Sequence, residues 1–202
     1  MPLPPPAAPR QRRHCRSIQL HGYKREDGLW DLEAWMTDTK DHDYPLSTGL
    51  RQAGEAIHHM GLRVTVDRHF QILDAQGVTE AAPYGDHCRA IVPEYRRLVG
   101  LNLFQDFRRA LRQRLGGVAG CSHLTELAMV LPTVALQTFA SETQDNEDHD
   151  GRQPYQLDRC HALETSSEAV RRYYPRWYRG QEPARGDAPA FCSQLQPSKE
   201  SA

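Results

Sequence analysis

Trp30, Leu32, Ala34 and Met36 alternate with Asp31, Glu33 and Thr37. That period of two predicts a strand with the Trp30 side buried and the Asp31 side wet. Asp27-Gly28, just before it, is a turn signal, so residues 18–38 are expected to fold as a hairpin. The pattern returns further on. His58, Met60, Leu62, Val64 and Val66 share one face, and His59, Arg63 and Thr65 share the other. A break at 67–69 and a resumed strand over 70–81 make a second hairpin. His58 thus falls on an apolar face, pointing inward. A histidine there is a hydrogen-bonded core residue unless other ligand-type side chains converge on it.

After residue 85 the period changes. Helices are predicted over 89–99, ended by Gly100, and over 103–115, with Phe104, Phe107, Leu111 and Leu115 on one stripe and arginines off it. Gly116 and Gly117 stop the second. A third starts near Cys121 and runs to about Ala140. Its apolar positions are Leu124, Leu127, Ala128, Leu131, Ala135 and Phe139, and Pro132 is expected to kink or divide it. Two hairpins followed by helices predict an α+β fold: a small antiparallel sheet with three or four helices packed on one face. The loop over 39–54 is long for a compact domain. Its Asp41, His42 and Asp43 are weak candidates for a cation.

Outside this core the composition shifts. Residues 1–16 are rich in proline and arginine without apolar periodicity and read as a disordered tail. Residues 141–153 form an acidic, mobile connector, and 180–202 a second disordered tail. Tyr173, Tyr174, Trp177 and Tyr178 are too aromatic for a free segment, so 155–178 is expected to dock back on the core. A short helix over 164–173 carries a capping signal at Thr165. One globular domain over 17–179 results.

Charge and cysteine usage narrow the function classes. The chain has 202 residues and a formal net charge of −1, so no global field recruits nucleic acid or a membrane surface. Five widely spaced cysteines are no disulfide framework, and no apolar run is long enough to span a bilayer. A reducing cytoplasm with free thiols is the expected setting. A small-molecule substrate stays open as a partner, and no oligomeric state is implied.

The chemistry gathers around "GVAGCSHLTEL", residues 117–127. A helix N-terminus favours a thiolate, the form that binds metal or attacks carbon, and Cys121 is placed there. Glu126 follows as a candidate base. His123 shares the Glu126 side of the helix. "DRCHAL" sets Cys160 beside His161. Cys88, Cys121, Cys160 and either His58 or His161 compose a Cys3His set, which suits tetrahedral zinc first and iron second. Small buried cysteines and a metal-free Cys–His nucleophile pair are the alternatives.

Two resemblances bear on these residues. "GYKREDGLWDLEAWMTDTK", "RRLVGL", "RLGGVAGCSHLTEL" and "QLDRCHALETSSEAVRRYYPRWY" resemble a bacterial family catalogued only as a domain of unknown function. Separately, residues 55–139 resemble the core of the NifU/IscU-type iron–sulfur cluster assembly scaffolds: "HHMGLRVTVD", a second strand, a cysteine turn, a helix ending "RRLVGLN", and "CSHLTE" opening the last helix. The likeness implies ligands meeting at the second hairpin, the Cys88 turn and the mouth of the Cys121 helix. His58, Ala56 and Gly120 stand where the scaffolds carry aspartate, cysteine and histidine. The function implied is metal binding: a metal-dependent enzyme on a small organic substrate, or else a metal or cluster carrier, or a metal-free interaction domain.

Overall fold

The computed structural model describes residues 3–140, 151, 153–154 and 156–180. Most of the acidic connector and all of the tail beyond residue 180 lie outside the described residues. The expected globular span falls across two compact units, Met1–Thr143 and Gln144–Ala202.

The first unit is α+β. Its main sheet holds β1 (Cys15–Lys24), β2 (Trp30–Thr39), β5 (Ala56–Val66) and β6 (Ile72–Ala81), in the order β1-β2-β5-β6, with each neighbouring pair antiparallel. The two expected hairpins are therefore joined through β2 and β5. In the long loop between them, β3 (Tyr44–Leu46) and β4 (Gly49–Arg51) form a small separate hairpin. On β4, Gly49 and Leu50 are exposed and Arg51 half-buried, and three-residue strands leave too little alternation to read.

Strand β1 begins at Cys15, inside the expected tail, because its pairing with β2 continues through Arg16↔Asp38 and Cys15↔Thr39. Arg12 adds an ion pair to Asp41 at 2.7 Å.

Three helices follow: α1 (Asp86–Arg89), α2 (Phe107–Leu115) and α3 (Ser122–Ala140). The predicted helix over 89–99 is instead α1 plus a 3-10 turn over Val92–Leu98, with Pro93 at its start. Proline disfavours α geometry in the residue before it, which breaks the run. Helix α2 starts four residues late, behind a left-handed Asp106.

Pro132 does not divide α3, which runs through it. The helix lies over β2, β1 and β5 and buries Leu124, Leu127, Ala128, Leu131, Val134, Ala135 and Phe139. Tertiary burial on both sides outweighs the lost hydrogen bond. A Cβ at Gly22 would fall on the Thr138 side chain, so a glycine on β1 lets the helix come this close. At one end of α3 the Phe139 ring meets Trp30, with centroids 4.3 Å apart.

In the second unit, α4 (Glu168–Tyr173) is shorter than expected. Its cap is Ser167, whose hydroxyl accepts from the Val170 amide, and not Thr165. Thr165 is buried, and its amide donates to the Asp158 carboxylate at 2.8 Å.

Candidate metal centre

The buried side of β2 is occupied in turn by Trp30, Leu32, Ala34, Met36 and Asp38. A carboxylate therefore takes the fifth place of an apolar stripe, and its side chain is 3% exposed. Burying it alone would cost several kcal/mol, so its partners decide whether the strand can form there.

Those partners come from three elements. His14 Nε2 and Arg16 Nε donate to Asp38 Oδ1 at 2.9 and 2.8 Å. Arg16 Nη2 and His58 Nδ1 donate to Oδ2 at 2.8 and 3.0 Å. The carboxylate only accepts, which assigns the proton to those ring nitrogens. The regular register of β2 on β5 sets His58 directly across from Asp38, and the ladder shifts only beyond that pair, between Asp38 and Thr39. Arg16 also reaches along the rim to Glu126, Nη1 to Oε2 at 2.5 Å.

Helix α3 adds His123, its second residue. Its Nε2 lies 3.9 Å from Asp38 Oδ2, and its ring stacks on His58 with centroids 3.9 Å apart. One donor atom each from Asp38, His58 and His123 falls within 4.8 Å of the others. Among the described residues, no other group of three or more histidine, cysteine and acidic side chains converges this way.

The mouth of α3 is pinned by Tyr95. Its buried hydroxyl donates to the Cys121 carbonyl at 2.8 Å and accepts from the Cys121 amide at 3.0 Å. A Cβ at Gly120 would collide with the Leu115 carbonyl, so the turn into the helix needs glycine. Cys121 Sγ then sits 3.8 Å from His123 Nδ1, on the far side of that ring from Asp38.

Protonation follows from this packing. Burial pushes Asp38 up, but hydrogen bonds from Arg16 and His14 outweigh it and hold the carboxyl well below the usual range. Burial, then the adjacent His123, lowers His58. Burial, then the Arg16 charge, lowers His123. At neutral pH the group is one ionised carboxylate and two neutral imidazoles, the states that ligate metal.

The expected residues distribute unevenly. His58 is in the group, on the Met60 side of β5 and 16% exposed. Cys121 touches it through His123. Cys88 is half-buried in α1 and belongs to no such group. Cys160 and His161 are exposed, at the start of a 3-10 turn in the second unit. Glu126 is paired with Arg16 on the rim. Among the described residues, Cys88, Cys121 and His58 of the expected Cys3His set do not fall into one such group. Asp38, His14 and Arg16 were not expected, and His123 was expected on the Glu126 side. Extending the Trp30 alternation by one more step finds Asp38.

A family model described as "Protein of unknown function (DUF2889)" matches residues 14–137. The chain belongs to this family. No curated protein and no solved structure matches the chain. The DUF2889 span begins at His14 and takes in every side chain bonded to Asp38. It stops short of Cys160 and His161.

Proposed function

We propose that this DUF2889 protein binds a divalent metal through Asp38, His58 and His123 and uses it on a small organic substrate. The observation that carries this reading is the convergence of three ligand atoms, two on neutral imidazoles and one on a buried carboxylate. Three protein ligands leave a coordination position open, the arrangement of catalytic and not structural zinc sites. Zinc is the first choice and iron(II) second, since a two-histidine, one-carboxylate face serves both. Such an ion supplies a Lewis acid and an acidified water. The contact of His123 Nδ1 with Cys121 orients the ring, the role that a hydrogen-bond partner of the second nitrogen plays for a metal-bound imidazole. Glu126, the expected base, acts instead as the anchor of Arg16.

A carrier remains the second reading. It is supported by Cys121, which stands where the assembly scaffolds that the sequence resembles carry their helical cysteine and lies beside His123. Metal analysis by mass spectrometry tests the first claim. Near-stoichiometric metal is expected in the wild type and loss in His58→Ala and His123→Ala. Folded wild type that stays metal-free after zinc or iron(II) is supplied would end it. Transfer to an apo-acceptor without turnover would favour the carrier.

A further inference from the structure

The Asp38 oxygens are already shared with a cation. Arg16 lays its Nε and Nη2 edge along the carboxylate, one bond to each oxygen, both at 2.8 Å. This is the bidentate geometry in which a guanidinium recognises a carboxylate. A dication ligated by Asp38 takes electron density from the same oxygens and repels the guanidinium at close range. Arg16 does not have to leave. Its third nitrogen, Nη1, is held by Glu126 at 2.5 Å, and the side chain is 29% exposed, at the rim of the group.

We infer that in the metal-loaded protein Arg16 is the recognition residue for the substrate, and that the substrate class is a small carboxylate. This rests on the metal reading above. The charges agree with it. Asp38, Glu126 and Arg16 carry two negative charges against one positive. A dication turns that net −1 into +1, while the imidazoles ligate as neutral groups. The loaded site therefore attracts an anion, and the fork released from Asp38 presents two parallel donors to it. A small planar carboxylate takes the place at the fork that Asp38 gives up, within reach of the open metal position. The site thereby selects for loading: without metal, Asp38 itself occupies the fork and excludes the substrate.

Cobalt(II) makes both steps visible. The wild type, Arg16→Gln and Arg16→Lys are loaded with cobalt(II), and the visible spectrum is followed while acetate is added, with inorganic phosphate as a parallel titration. Saturable change with acetate is expected in the wild type, weakened at least tenfold in Arg16→Gln and less in Arg16→Lys. Failure of the folded wild type to take up cobalt(II) overturns the metal reading and this inference with it. Cobalt(II) binding with no acetate response, or equal acetate affinity in Arg16→Gln, overturns the inference alone. Tighter binding of phosphate than of acetate overturns the carboxylate class.

Discussion

Strand β2 and helix α3 meet twice, once at each end, and the two meetings differ in kind. At one end Trp30 packs on Phe139, and Phe70 joins Phe139 with centroids 4.7 Å apart. At the other, Asp38 faces His58 and His123, with Arg16 over both carboxylate oxygens. Strand stripe and covering helix are the same. One end is stabilised by apolar area, which is non-directional and tolerant of small shifts. The other needs a donor for each acceptor position and fails if one is missing. A fold that keeps so demanding a cluster where leucine would pack points to use of the cluster.

The apolar end should dominate stability. Trp30→Ala removes a buried ring and leaves a cavity, so about 3–5 kcal/mol of unfolding free energy should go. Metal affinity measured on the protein that remains folded should hold. Chemical denaturation with parallel metal titration checks both. A large loss of affinity would mean that the two ends are one cooperative unit.

Asp38→Ala attacks the other end. It leaves Arg16, His14 and His58 without their acceptor, and the cost should be about 2–4 kcal/mol in metal-free protein, with metal binding abolished. The penalty is smaller than at the Trp30 end because Arg16 keeps Glu126 and the rim reaches water. Asp38→Leu sharpens the contrast. If Asp38 is there for function, leucine should restore part of the stability lost in the alanine variant and none of the metal binding.

The apolar end was legible in the sequence and the polar end only in part. Trp30, Met60 and Leu124 announce themselves by periods of 2 and 3.6, and the sheet and α3 follow. Asp38 sits on the same period, but an aspartate ends a hydrophobic count. Its burial depends on Arg16, 22 residues away, and on His123, which no local pattern connects to it. Cys121, by contrast, drew attention through a strong local signal, a thiol at a helix mouth. That signal says nothing about whether Cys88 lies within reach. Local chemistry suggested a metal and a helix end; only the strand order β1-β2-β5 decided which ligands meet.

The polar end should also set the acid limit. The folded Asp38 titrates below its unfolded range, so its contribution is complete above about pH 4 and is lost as pH falls through the lowered value. His58 and His123 are lowered too, so their share is complete above about pH 6.5 and lost as pH falls through their folded values. All three act in one direction. Metal-free wild type should lose about 1–2 kcal/mol between pH 7 and pH 4 through the two imidazoles, and a further part below pH 4 that Asp38→Ala lacks. Thermal melts across that range check it. A Trp30→Ala protein that loses the acid limb, with Asp38→Ala keeping it, would assign the limb to the wrong end.

The smallest effect belongs to Cys121, and it separates orientation from ligation. Its sulfur contacts His123 Nδ1 at 3.8 Å, while His123 Nε2 faces Asp38. A serine hydroxyl, on a shorter bond, reaches that N–H less well but leaves His123 Nε2 where it is. Cys121→Ser should therefore keep the metal, with affinity reduced less than tenfold, and cost under about 1 kcal/mol of stability. Cys88→Ser should leave affinity unchanged, since Cys88 lies in α1, outside the Asp38 group. Competition with a chelator of known affinity resolves differences of this size. Loss of metal in both serine variants, with retention in His123→Ala, would return the thiolates to the role of ligands and leave the Asp38 cluster a structural ion pair.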